Sequence, residues 1–202
     1  MSWSKILREN QSYTFRSYFE MPYEVDQILA ELGYRFVSDT LELPRANRPI
    51  AVFAQLQQDI QDSLKLTLIS SETALREVLI APILLAIARL CGCQIRLEYP
   101  LHVNNWLKGN LDYLLQSNQN FLVVEAKNDD LSRGFTRLAV EMIALAQAEE
   151  QSVVYGAVTI GDAWRFGKLD QTTHIITQDI ILYSVPTQLE TLMKILVGLI
   201  EL

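Results

Sequence analysis

The chain has 202 residues and a formal net charge of −7; half of its residues are hydrophobic and a fifth are charged. These values are ordinary for a globular protein and allow one well-filled core. The acidic balance argues against a chain coated in basic residues for tight non-specific DNA binding, although a local basic patch can still meet phosphate.

The longest unbroken apolar run, residues 78–88, contains a proline and is too short to span a bilayer, so it predicts a buried helix. No signal-peptide apolar region follows the first residues. We therefore expect a cytoplasmic protein with no membrane partner.

A zinc site and a disulfide framework are excluded by the number of cysteines and histidines, and two cysteines one residue apart are poorly placed to bridge each other. There are two cysteines, Cys91 and Cys93, and two separated histidines, His102 and His174. A structural zinc site usually needs four such ligands at set spacings. We expect both cysteines to be free and reduced.

The first part of the chain mixes patterns. Residues 11–20 alternate well enough to predict a strand. Residues 22–33 begin with proline, have apolar positions at helical spacing and end at glycine, which predicts a short helix. Residues 37–49 contain two prolines and indicate a strand end and a loop. We expect residues 1–69 to form an α+β elaboration of a single domain, residues 1–202.

The strongest predicted helix follows, with Ser71 as its cap, Glu72 in its first turn and Gly92 after its end. The later pattern predicts strands at 93–99, 109–116 and 121–127, a helix at 132–150, strands at 152–160, 163–169 and near 173–183, and an apolar helix from residue 186 to the C-terminus. This order predicts an α/β sandwich with a mixed sheet.

The segment GNLDYLLQSNQNFLVVEAKND, residues 109–129, carries the chemistry. Residues 117–120 have a strong turn composition. In a hairpin centred between residues 118 and 119, paired residues have numbers that sum to 237, so Asp112 faces Glu125. Their Cβ atoms are then roughly 4.5–5.5 Å apart.

Period-two alternation places Glu125 and Lys127 on one face of the strand. Two like charges directly opposite each other repel, and Mg²⁺ or Mn²⁺ removes the conflict because it prefers carboxylate oxygens. Lys127 can then meet a phosphate oxygen or a metal-activated water, as phosphodiester hydrolysis requires. The same residues also fit a plain surface hairpin whose acids face solvent and whose lysine pairs with one of them.

Asp112, then twelve residues, then Glu125-Ala126-Lys127, flanked by long helices, resemble the PD-(D/E)XK (restriction endonuclease-like) nuclease superfamily. The helix SETALREVLIAPILLAIARL is similar to that of type I restriction N-terminal-like members. The likeness covers about residues 70–160, with Leu111 where the motif name has proline. It implies a mixed four-stranded core sheet flanked by helices, Mg²⁺ (or Mn²⁺) as cofactor, and a metal-dependent nuclease, with DNA as the expected partner.

Many members carry a further glutamate on the helix before the sheet, and Glu72 falls at that position. Helical geometry puts Glu72 on the apolar stripe, whereas Glu77 lies about 140° away. The resemblance therefore implies Asp112, Glu125 and Glu72 as metal ligands and, together with Lys127, as the catalytic set. Glu72 could equally be an acid that stabilises the helix dipole.

Some relatives have a glutamine and a tyrosine four residues apart on the next helix, where this chain has Arg137 and Glu141. Arg133 and Arg137 share a helix face and could touch phosphate, and Lys108 could also reach DNA. Two other function classes stay open: a degenerate member that binds nucleic acid or a protein without cutting, and an assembly protein whose apolar C-terminal helix could form a homodimer contact.

Overall fold

The computed structural model describes residues 6–117, 120–127 and 130–202. Its strands are β1 Arg35–Asp39, β2 Gln94–His102, β3 Lys108–Gln116, β4 Phe121–Ala126, β5 Val153–Thr159, β6 Ala163–Asp170, β7 Ile175–Asp179 and β8 Tyr183–Ser184. They form one eight-stranded mixed sheet in the order β1-β7-β6-β5-β4-β3-β2, with β8 beside β6. The predicted α/β class is confirmed. The expected four-stranded extent is wrong, because β6, β7 and β1 continue the sheet beyond β5.

Helices cover both faces of this sheet. They are α1 Phe15–Glu20, α2 Val25–Glu31, α3 Phe53–Leu66, α4 Glu72–Leu75, a π-helical segment Arg76–Ile80, α5 Ala81–Cys91, α6 Leu131–Ala148 and α7 Leu189–Ile200. One apolar core lies between the sheet and α1, α2 and α6. The other lies between the opposite face and α3, α5 and α7. The molecule therefore has three layers, helices, sheet and helices.

The middle of the chain runs α5, β2, β3, β4, α6, β5. Strands β2, β3 and β4 are neighbours and antiparallel, while β4 and β5 are parallel. A parallel pair cannot be joined by a tight turn, and α6 supplies the crossover. This confirms the predicted order of helix, three strands, helix and strand.

The N-terminal prediction was wrong in one place and incomplete in another. Residues 15–20 form α1 rather than a strand, because Thr14 and Ser17 build a reciprocal capping box and Phe15 and Tyr18, three residues apart, share a buried helical face. Helix α3 was not predicted, since only Leu56 and Ile60 of its residues are buried. Sparse apolar positions give a weak helical pattern.

The predicted helix after Ser71 is present but interrupted by the π-helical segment. Ser71 Oγ accepts a hydrogen bond from the Ala74 N–H at 3.2 Å, and Gly92, with φ +63°, ends the helix in the left-handed region. Cys91 and Cys93 are free and half-buried.

The apolar residues of α7 that suggested a dimer contact are largely buried in the protein's own core. Within the described ranges, no helix combines the length and the apolar character needed to cross a membrane.

Candidate active site

The predicted hairpin register is present. Four pairs join β3 and β4, from Tyr113 opposite Val124 to Gln116 opposite Phe121, and each sums to 237. Residues 118 and 119, the centre of the predicted turn, lie outside the described residues. The regular ladder stops at Tyr113 and Val124, one pair before Asp112 and Glu125 would meet.

Asp112 continues the strand pairing with its side chain. Its Oδ2 accepts a hydrogen bond from the backbone N–H of Ala126 at 3.0 Å. Asp112 is 4% exposed and Glu125 is fully buried. Both carboxylates therefore converge on one small region at the end of the hairpin, on the face that packs against α6.

Lys127 follows β4 and is held by hydrogen bonds to the backbone of β5 and of Ala126 and by a contact with α1. Its N–H donates to the Thr159 carbonyl at 2.8 Å, and its Nζ donates to the Ala126 carbonyl at 2.9 Å. The ammonium forms an ion pair with Glu125 and lies 5.3 Å from the centre of the Phe19 ring. The lysine is thus 7% exposed and directed at Glu125 rather than at solvent.

Arg137 of α6 brings the two acids together. Its Nη2 lies 3.2 Å from Asp112 Oδ1 and its Nη1 lies 2.9 Å from Glu125 Oε1. Nη2 also donates to the Asn110 carbonyl at 3.0 Å. The side chain is only 13% exposed. The structure therefore places this predicted phosphate-contacting residue inside the acid cluster.

Glu141, one helical turn beyond Arg137, completes the cluster. Its Oε1 accepts a hydrogen bond from Arg137 Nε at 2.8 Å, and Glu141 is fully buried. Burial raises the pKa of Glu141 to about 7; Arg137 opposes this rise and Asp112 adds to it. Three carboxyl groups thus surround two cations.

The electrostatics of the cluster follow from burial. Burial raises the pKa of Glu125 well above its ordinary value, and the nearby acids Glu141 and Asp112 raise it further. The cations oppose this rise without cancelling it. Burial disfavours the charged form of Arg137, but the three carboxylates outweigh burial and raise its pKa above the ordinary value. Burial therefore favours the protonated forms of Glu125 and Glu141.

Some of its oxygens are left without a hydrogen bond. Among the described residues, Glu125 Oε1 and Oε2 and Glu141 Oε2 are buried and have no hydrogen-bond partner, although Oε1 of Glu125 makes the ion pairs described above. Buried polar atoms are nearly always satisfied, so such a group needs an explanation. Carboxylate oxygens are the donors that Mg²⁺ and Mn²⁺ prefer, and Asp112 and Glu125 fit such a cation in kind. In the described part of the chain, no group of three or more acidic, histidine or cysteine side chains has metal-binding geometry.

The structure does not join Glu72 to this cluster. Glu72 begins α4 and is half-buried, and Glu77, the other candidate, is exposed. The ion pairs and hydrogen bonds that the described residues make with the side chains of Asp112 and Glu125 come from Lys127, Arg137 and the Ala126 backbone. A role for Glu72 as metal ligand stays a prediction.

Lys108 lies beside a surface hollow close to the cluster. It is paired across β2 and β3 with the exposed His102, and both line a cavity of about 350 Å³ together with Asn110. Asn110 is the residue whose carbonyl binds Arg137. Arg133 is exposed on α6 and lies 3.5 Å from Asp130, the residue that caps this helix. Lys108 is therefore the better placed of these two candidate phosphate contacts.

Sequence reasoning missed Glu141 as a member of the site and placed Arg137 on a phosphate-binding face. One signal was available: Glu141 is the only charged residue in the run LAVEMIALAQA, residues 138–148. An acid within a buried helical stretch needs a cation, and Arg137 stands four residues before it. No protein-family model, curated protein or solved structure matches the chain.

Proposed function

We propose that this protein is a Mg²⁺-dependent nuclease that hydrolyses phosphodiester bonds of nucleic acid, with DNA as the expected substrate. The observation that carries the proposal is the convergence of Asp112 and Glu125 from adjacent strands, with Lys127 paired to Glu125. Buried acids and a lysine at one strand end are costly to assemble, which favours a chemical role over a structural one.

The order of elements supports the same proposal. The helix, three antiparallel strands, helix and parallel strand surrounding the site follow the order expected from the resemblance to PD-(D/E)XK nucleases. Asp112 lies on the second of these strands and Glu125 and Lys127 lie at the end of the third.

The chemistry of each side chain suits it to one role in the proposed hydrolysis. Asp112 and Glu125 offer oxygens to the cation. Bound Mg²⁺ supplies positive charge to the phosphate and a water of lowered pKa. Lys127 has no lone pair when protonated, so it acts as a donor that orients the attacking water or stabilises charge on phosphate. Removal of Lys127 should therefore act differently from removal of an acid.

The hollow beside the cluster suits a polynucleotide. Lys108 and His102 are cross-strand neighbours that both line the hollow, and the backbone carbonyl of Asn110, another lining residue, accepts a hydrogen bond from Arg137. Phosphate contacts by cationic side chains supply most sequence-independent affinity for nucleic acid. A strand whose backbone meets Lys108 would bring a neighbouring phosphate towards the acid pair.

A second candidate function is binding of nucleic acid or of a protein partner without cutting. The observation that favours it is Arg137, whose guanidinium already neutralises both Asp112 and Glu125. A permanent ion-pair cluster would hold β3, β4 and α6 together and require no metal.

The two functions are separated by a cleavage screen. Single-stranded, duplex and branched DNA, and single-stranded RNA, are incubated with wild-type protein and Mg²⁺ or Mn²⁺, and products are resolved by size. We expect metal-dependent cleavage of at least one substrate. Glu125→Gln should abolish it, whereas Glu190→Gln, a change to an exposed acid on α7, should not.

Two outcomes of this screen would contradict the nuclease proposal. Binding of one of these nucleic acids by gel shift, with no cleavage in either metal, makes the non-cutting function the better account. Cleavage that survives Glu125→Gln would assign the activity to another site or to a contaminant.

A further inference from the structure

Arg137 has every nitrogen of its guanidinium engaged. Nε donates to Glu141, Nη1 contacts Glu125, and Nη2 contacts both Asp112 and the Asn110 carbonyl. Its side chain is 13% exposed. This planar, permanently charged group therefore spans the two carboxylates that the proposed function assigns to a cation.

The charge inventory shows why one cation can replace another here. Lys127 and Arg137 bring two positive charges to three carboxyl groups, and buried carboxylates are costly to leave unneutralised. If Arg137 left Asp112 and Glu125 without a replacement, two acids would lose their main counter-charge. If a divalent cation and Arg137 were both held there, they would repel at short range.

We propose that Arg137 is a resident counter-ion of the acid pair, so that metal binding and the release of Arg137 from Asp112 and Glu125 are one coupled event. The inference rests on the proposed function and names its regulation. Arg137 is a positioning residue in the metal-free protein, where it keeps the acids converged. The Nε bond to Glu141 lets the guanidinium leave the acid pair and still keep a hydrogen-bond partner.

Competition makes a prediction about affinity. Without the guanidinium, no resident charge has to be displaced, so Arg137→Gln should bind metal more tightly. We expect the Kd for Mg²⁺, measured by isothermal titration calorimetry, to fall at least about tenfold, which corresponds to about 1.4 kcal/mol. Arg133→Gln, an exposed change one turn earlier on α6, should leave the Kd unchanged. An equal or weaker affinity in Arg137→Gln overturns the inference, as does failure of both proteins to bind the metal.

A second measurement uses the wild-type protein, in case Arg137→Gln does not fold. An arginine-selective dicarbonyl reagent is applied with and without Mg²⁺, and modified peptides are quantified by mass spectrometry. Modification of Arg137 should accelerate at least about threefold with Mg²⁺, because release from the acids exposes the guanidinium to the reagent. The factor is smaller than the roughly tenfold change expected in Kd, since release need be only partial. Arg133 should react at the same rate in both conditions. An unchanged or slower rate at Arg137 overturns the inference.

Failure of this inference is distinguishable from failure of the proposed function. Neither readout involves cleavage. If the protein cuts nucleic acid with Mg²⁺ but Arg137 stays protected, the nuclease proposal stands and the counter-ion inference fails. If the protein binds Mg²⁺ and releases Arg137 but cuts no substrate, the counter-ion inference stands and the nuclease proposal fails.

Discussion

Asp112 and Ala126 are joined by a hydrogen bond in which a side chain stands in for the backbone. Asp112 Oδ2 accepts the Ala126 N–H at 3.0 Å, just beyond the last regular pair of β3 and β4. The carboxylate thus closes the strand end with one oxygen and faces Arg137 with the other. A candidate catalytic acid is here also a structural acceptor.

This double role predicts a stability cost that does not require metal. Asp112→Ala leaves the buried Ala126 N–H without a partner, a loss of about 1–3 kcal/mol in the free energy of unfolding. Asp112→Asn keeps an acceptor for that N–H and should recover part of the loss. Urea unfolding in the presence of a chelator measures both. If Asp112→Ala is as stable as wild type, this hydrogen bond does not stabilise the fold.

Glu141 predicts a pH dependence of stability. Its pKa is raised from 4.5 to about 7 in the folded protein. The folded state therefore holds a proton that the unfolded chain releases. The contribution of Glu141 to the free energy of unfolding is fully present below its ordinary pKa of 4.5 and is lost as pH rises through about 7. Glu141→Gln is neutral at every pH and should lose less stability between about pH 5 and about pH 8, by on the order of 1–3 kcal/mol.

Urea unfolding of metal-free protein across that pH range makes the comparison. Glu190→Gln, at an exposed position on α7, serves as the matched control and should follow wild type. Parallel pH profiles for wild type and Glu141→Gln would contradict the assigned protonation of the cluster.

Gly134 controls how closely α6 approaches Lys127. A Cβ at this position would lie 2.8 Å from Val158 Cγ2 and 2.9 Å from Lys127 Cγ. Gly134→Ala should therefore destabilise the protein by about 1–3 kcal/mol, although alanine favours helix formation. Ser132→Ala, exposed on the same helix, is the control. Thermal unfolding measures both, and a more stable Gly134→Ala variant would show that the helix can shift freely.

Much of the site was predictable because its determinants are local. The hairpin register follows from a short turn and strict alternation, so the pairing of Tyr113 with Val124 could be read from spacing, although the ladder ends one pair before Asp112 and Glu125. The start of α4 followed from Ser71 and the end of α5 followed from Gly92. These features depend on neighbours within a few residues.

Most of the parts that failed depend on distant contacts. Strands were predicted at β6 and β7, but the continuation of their sheet into β1 was not, because β1 and β7 are far apart in sequence and no local pattern specifies their pairing. The place of Arg137 in the acid cluster depends on how α6 crosses the sheet, which Gly134 permits by its lack of a side chain. The strand predicted at residues 11–20 failed for a local reason, because the capping box of Thr14 and Ser17 starts a helix there.

A substitution of Lys108 tests the proposed nucleic-acid interface. Lys108→Gln should weaken binding of nucleic acid about equally for all sequences and lower the slope of log affinity against log salt by about one. Lys65→Gln, which removes an exposed lysine on α3, should change neither. Fluorescence anisotropy with a labelled duplex at several salt concentrations gives the slope. An unchanged slope in Lys108→Gln would remove this residue from the interface.

The central claim is that Asp112, Glu125 and Lys127 together cleave phosphodiester bonds, and Lys127→Met tests it most directly. Methionine keeps an unbranched side chain beside Gly134 and Phe19 but removes the charge. The measurement is the initial cleavage rate of wild type and Lys127→Met across a Mg²⁺ titration. We predict a half-saturating Mg²⁺ concentration that is unchanged or lower in the variant, and a plateau rate lower by roughly 10²-fold or more. Wild-type protein that cuts nothing across the titration, or a variant that cuts at the wild-type rate, would contradict the account.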